Sequence, residues 1–139
     1  MPSNHFSIVL GDILTYCEQD KMLEVPKGGM AFDAEGNIVS IAEESLILQQ
    51  YPEAEIINAR GHLILPGLID THNHLSHYAV SASADVSLGI WLEKYVYPAE
   101  IKFLQDLDDA RRVSRAFFQT ALSLGTTTVA TFSSSSTEA

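Results

Sequence analysis

Two histidines one residue apart, His72 and His74, are the residues whose type and spacing best suit chemistry. Positions i and i+2 of an extended chain point to the same side, so both imidazoles can face one metal ion. The spacing alone also fits a solvated pair, and it is the context that favours ligands. The apolar run Leu63-Ile64-Leu65-Pro66-Gly67-Leu68-Ile69 leads directly into Asp70-Thr71-His72-Asn73-His74. That pattern reads as a buried strand over 63–70 ending in polar side chains, and in α/β barrels the strand ends are where ligands and catalytic groups collect. Imidazole nitrogen suits zinc and iron alike, so the pair implies one divalent metal without choosing between them.

The elements that must position this pair fall into two stretches. Residues 61–139 follow the order strand, long excursion, helix, strand. Val113, Phe117, Ala121 and Leu124 recur at helical spacing over 108–124, Gly125 stands where a helix C-cap glycine belongs, and Thr126–Phe132 is β-branched and apolar. This order predicts a βαβ unit with two parallel strands. Residues 1–60 instead alternate short apolar runs with turn residues, which predicts a β-rich piece. Strands are expected at 6–10 and 13–16 with Gly11-Asp12 between them, and a hairpin joins 30–32 to 38–41 around Gly36-Asn37. A short helix over 43–51 stops before Pro52, and another strand covers 55–58. Ser133–Ser136 is low-complexity and reads as a tail.

The 139 residues are 46% hydrophobic and 19% charged, a globular balance, with a formal net charge of −10. So acidic a chain is repelled by phosphate, which argues against nucleic acid or an anionic membrane as partner. Arg111, Arg112 and Arg115 make no basic patch because they follow Asp106, Asp108 and Asp109. The one cysteine, Cys17, excludes an intrachain disulfide and lacks a basic neighbour to activate it. Neither a signal peptide nor an apolar span is visible, and the expected setting is cytoplasmic.

At Pro66-Gly67-Leu68-Ile69-Asp70-Thr71-His72-Asn73-His74 the sequence resembles the amidohydrolase superfamily of metal-dependent hydrolases, whose barrel opens with this strand. Residues 91–100 (WLEKYVYPAE) and 125–128 (GTTT) look like the guanine deaminase branch and its close aminohydrolase relatives. The resemblance implies an α/β fold. Residues 61–139 would be the start of a (β/α)8 barrel, with its first two strands and intervening helices, and residues 1–60 part of a small β-sandwich; the remainder would lie outside this sequence. It further implies one divalent metal, zinc first and iron second, with His72 and His74 as ligands. The substrate would be an N-heterocycle such as guanine, and its exocyclic amine would be hydrolysed to release ammonia. The further ligands and the catalytic acid and base belong to later strands, so no catalytic residue is expected within these 139 residues, and the chain alone is expected to be inactive.

His77 stands where guanine deaminases commonly have Gln, and Ile90 where they often have Glu. These departures keep adenosine-thioether, pterin and triazine substrates open. His77 is assigned to the substrate pocket. Trp91 is assigned there too, as a flat wall for a planar heterocycle, although Leu88, Trp91, Leu92 and Tyr95 also form a helical stripe that core packing explains. Pro98 should end that segment, and Glu100 reads as an exposed or capping carboxylate. Asp70 is expected to orient the strand end by hydrogen bonding, and His5 and His62 are read as structural or solvated. From another class, the chain could be a non-catalytic module that associates with itself. On either reading the apolar strands need partners, which predicts a homo-oligomer or co-purification with another chain.

Overall fold

The computed structural model describes residues 5–17, 21–83 and 86–133, and the chain divides into two compact units, 1–66 and 67–139. In the first unit, β1 (Ser7–Cys17), β2 (Lys21–Phe32), β3 (Ile38–Glu43) and β4 (Glu55–Ile64) form one sheet in the order β3-β2-β1-β4, with α1 (Glu44–Gln50) between β3 and β4. The β2–β3 hairpin forms as its turn chemistry predicts. Asp33 Oδ1 accepts the backbone N–H groups of Glu35 and Asn37 at 3.1 and 2.8 Å, and Gly36 takes φ +87°. Ile8, Leu10 and Ala31 project from the sheet onto Ile47 of α1, and all four are fully buried. Gly29 lets that helix approach, because a Cβ there would run into the Ile47 side chain.

Three strand boundaries differ from the sequence reading. Residues 7–17 are one strand, since Gly11-Asp12 forms a bulge in the ladders to both neighbours instead of a turn. The Asp12 carboxylate accepts the Lys27 N–H at 2.8 Å, which holds β2 at the same level. Residues 21–29 are also strand, a stretch whose Pro26, Gly28 and Gly29 hide the period-two pattern. The apolar run 63–70 is not a single strand: Leu63 and Ile64 close β4, and the next strand begins at Leu68. Pro66, without an N–H to give a ladder, stands in the break.

The second unit runs β5 (Leu68–His74), a 3-10 helix (Leu75–Val80), α2 (Leu88–Trp91), a π-helical turn (Leu92–Val96), α3 (Tyr97–Gln105), α4 (Leu107–Ser123) and β6 (Thr126–Phe132). β5 and β6 pair in parallel, as the βαβ reading requires. Asp106 caps α4 by accepting the Asp109 N–H at 3.0 Å, and Gly125 at φ +87° takes the chain out of that helix. Leu75, Phe103, Ala110 and Val113 make the core, with Tyr78 and Phe117 against it.

The strand expected to be buried is not: Leu68 is 56% and Ile69 68% exposed, because among the described residues β5 has one strand neighbour and a sheet of two cannot cover itself. Pro98 does not end its segment either. The π turn ahead of it shifts the hydrogen bonding, with Tyr97 N–H returning to Leu92 O, and Pro98 sits in the first turn of α3, where a missing N–H costs little. Ser134–Ser136 of the expected tail lie outside the described residues. Among the described residues no helix is long and apolar enough to cross a membrane.

Two outcomes follow. The open faces at Ile56, Ile57 and Leu63 in one unit, and at Leu68 and Ile69 in the other, predict that sizing with light scattering returns a mass above the 15.2 kDa of one chain. Asp109, 11% exposed, is gripped by Lys102 at 2.9 Å and Arg112 at 2.6 Å, and these cations hold its pKa below 3.8. Its stabilising contribution is therefore complete above the ordinary carboxylate range and lost as pH falls through the lower folded value. Acid unfolding followed by circular dichroism should show the Asp109→Asn variant less stable than wild type at neutral pH, the gap closing as pH falls below the ordinary carboxylate range.

Candidate metal centre and its surroundings

β5 carries Asp70, His72 and His74 into the site, and its ladder with β6 is irregular where it matters. Pairing passes from Asp70 opposite Val129 to Asn73 opposite Thr131, so Thr71 and His72 sit in a bulge. The His72 N–H, freed from the ladder, donates to Asp70 Oδ1 at 3.0 Å. Asp70 thus orients the strand end, the role its position suggested. The His72 and His74 rings lie with centroids 6.1 Å apart, tilted by 57°. His72 is exposed and His74 half-buried. Between them, the Asn73 side-chain amide is shielded from solvent with neither polar atom hydrogen-bonded, while its backbone carbonyl accepts from Thr131 Oγ1 at 3.5 Å.

His74 is the centre of a stack. Phe132, at the end of β6, lies nearly parallel to its ring at 5.0 Å between centroids, and His77, from the 3-10 helix, lies parallel to it at 4.4 Å and 2°. Trp91 meets His77 edge-on at 6.0 Å, and its indole N–H donates to Ser83 Oγ at 2.8 Å. The two residues assigned to the substrate pocket are therefore neighbours, and both are half-buried. Leu88, the first member of the helical stripe, is 70% exposed.

Glu100 was underestimated from sequence. Its Oε1 lies 2.8 Å from His77 Nε2, and the carboxylate is neither a helix cap nor fully exposed. Among the described residues one group of three possible metal donors exists, formed by His74, His77 and Glu100, whose ligand atoms lie within 4.8 Å of one another. The donor chemistry fits a divalent ion such as zinc or iron. Neither Glu100 nor Phe132 carried a spacing signal. They are 26 and 58 positions from His74, and only the return of α3 and β6 brings them to it. His62 is exposed, and His5 lies 3.8 Å from Glu55 in a solvent-facing pair.

A parallel strand ending in two histidines, followed by helices and a second parallel strand, is a βαβ unit of an α/β fold, and residues 63–138 match the profile of the Amidohydrolase family. That match covers more than half of the sequence, and the chain belongs to this family. It is 31% identical over 119 residues to the probable guanine deaminase of Deinococcus radiodurans, covering 83% of this chain and 27% of that protein. The guanine deaminase structure from Bradyrhizobium japonicum superposes with a TM-score of 0.82 at 29% identity, covering 95% of this chain and 30% of that one. The C. acetobutylicum guanine deaminase, solved with guanine in its active site, gives 0.74 at 28% identity, covering 93% and 30%. The chain thus spans less than a third of the length of these relatives.

The close approach of β5 to β6 is what sets the histidines against Phe132. At its start, Gly67 faces the Thr127 side chain so closely that a Cβ would collide with it, and Leu68 N–H donates to Gly125 O at 2.8 Å. Gly67→Ala should destabilise the chain by about 1–3 kcal/mol through overpacking, and Thr127→Ala in the same chain should recover only part of the loss, because the Thr127 Cβ that remains would itself lie 2.7 Å from the added atom. Urea midpoints of the single and double variants measure both.

Proposed function

We propose that this chain is the opening part of a metal-dependent aminohydrolase that hydrolyses the exocyclic amine of an N-heterocycle, guanine before others, to the oxo compound and ammonia. The observation that carries the proposal is the His72–His74 pair at the C-terminal end of a parallel strand, within a segment that matches the family, since that end of the strands is where such barrels build their sites. On this reading residues 61–139 begin a (β/α)8 barrel and residues 1–60 are part of a β-sandwich. A divalent ion, zinc first and iron second, is held by His72 and His74 together with ligands from later strands. When bound, such an ion supplies Lewis acidity and a nucleophile usable at neutral pH.

The chain's own residues do the rest of what can be assigned. Asp70 fixes the backbone under His72 by accepting its N–H. Phe132 holds the His74 ring by stacking on it. His77 and Trp91 line the side from which a flat heterocycle approaches: the imidazole offers a hydrogen bond, and the indole is fixed by its bond to Ser83. His77 in place of the usual Gln, with Ile90 where Glu is frequent, favours a second reading, in which an adenosine-like, pterin or triazine amine is the substrate.

The test is ammonia release from guanine by the complete polypeptide that contains this sequence. Activity on guanine is expected, with losses of about a hundredfold or more for His72→Ala and His74→Ala, and none from the 139-residue chain alone. Activity on an adenosine analogue with none on guanine would transfer the assignment to the second reading. No ammonia release from any cyclic amine would end the proposal.

A further inference from the structure

Glu100 has no part in the proposal above, yet it decides how His77 meets a ligand. Its Oε1 lies 2.8 Å from His77 Nε2. A carboxylate accepts and does not donate, so the ring hydrogen of a neutral His77 stays on Nε2 and Nδ1 is left as a bare acceptor. Among the described residues no Lys or Arg pairs with Glu100 to draw the carboxylate away. His74 covers one face of the His77 ring in a parallel stack at 4.4 Å, and Trp91 meets it edge-on at 6.0 Å. The donor atoms of His74, His77 and Glu100 lie within 4.8 Å of one another. In rings only 2° from parallel, however, the in-plane lone pairs run side by side and do not converge, so His77 Nδ1 stays clear of an ion held by His74. Among the described residues that nitrogen has no hydrogen-bond partner, and the side chain keeps 19% of its surface exposed.

We infer that Glu100 is a positioning residue that makes His77 a hydrogen-bond acceptor toward the pocket, and that the site takes N-heterocycles which present a ring N–H to it. On the deaminase reading, on which this role rests, His77 lines that pocket. The Gln common at this position in guanine deaminases carries both an amide donor and a carbonyl acceptor and can turn either to its ligand. An imidazole tied to a carboxylate offers one polarity. Guanine and pterins carry a lactam N–H that satisfies it. A 6-aminopurine alkylated at N9 has no N–H besides the amine to be hydrolysed, and any of its ring nitrogens facing Nδ1 would set two lone pairs together with no hydrogen between them. Glu100 thereby narrows the alternatives that the departure at position 77 leaves open.

The complete polypeptide that contains this sequence is assayed for ammonia release from guanine and from 9-methyladenine, and its histidine ring nitrogens are read by 1H–15N NMR. Guanine should be the better substrate, with His77 neutral and its hydrogen on Nε2. Glu100→Lys, at a side chain 43% exposed, places a donor where the acceptor stood and should move that hydrogen to Nδ1. KM for guanine should then rise by about tenfold or more while kcat changes much less, the mark of lost binding. In a His77→Gln background, whose amide brings its own acceptor, the same change at Glu100 should alter KM by less than about twofold. A merely structural role for Glu100 would act equally in both backgrounds, and that result overturns the inference. So does unchanged KM in Glu100→Lys, a preference for 9-methyladenine over guanine, or a parent His77 with its hydrogen on Nδ1 or on both nitrogens. Each of these leaves the deaminase reading standing, whereas a parent that releases ammonia from no cyclic amine ends that reading and this role with it. The parent NMR readout needs no variant, so it decides the matter even if a substitution disturbs folding.

Discussion

The parallel pairing of β5 with β6 is the constraint on which the rest of the second unit depends. Two parallel strands cannot be joined by a tight turn, so the chain between them must leave, cross over and return. Here that crossover is all the helical material of residues 75–123. The return stroke delivers Phe132 to the face of His74, and the outward stroke lays α3 where Glu100 reaches His77. The strands approach closely at their start because residue 67 has no side chain, and the ladder loosens at Thr71–His72 because Asp70 takes the His72 N–H. One pairing therefore fixes both the spacing of the strands and the irregularity that presents the first histidine to solvent.

The site is held more by aromatic packing than by charge. Phe132, His74 and His77 stack in sequence, with Trp91 closing the end. Such contacts orient planar groups without demanding a protonation state. Charge is used elsewhere: the Lys102–Asp109–Arg112 cluster ties α3 to α4 on the solvent side, and the Arg60–Glu44 fork ties β4 to α1 in the first unit. The second of these is exposed, with low intrinsic worth. In the first unit the load falls on the contact between Ile47 and the sheet.

Exposure marks where each unit is open. One face of the four-stranded sheet is covered by α1, while β4 keeps Ile56, Ile57 and Leu63 in solvent; in the second unit Ile69 and Leu88 are more than two-thirds exposed. Large apolar residues in such numbers call for covering surface. Relatives more than three times as long are the setting in which the family places these elements.

The histidine pair, the helix over 107–123 with its glycine stop, the hairpin around Asp33 to Asn37 and the βαβ order were all written in local patterns, because spacing, capping and turn chemistry act within a few residues. The family could be read for the same reason: its motif is a contiguous strand end. The bulge at Gly11-Asp12, the break at Pro66 and the passage of a helix through Pro98 were not legible, since each depends on which partner strand or helical turn receives the displaced hydrogen bonds. Glu100 looked like a surface carboxylate until the fold set it beside His77. By itself the sequence determined which residues could act; the tertiary structure alone decided which of them meet, because contacts between positions 26 and 58 residues apart leave no periodicity along the chain.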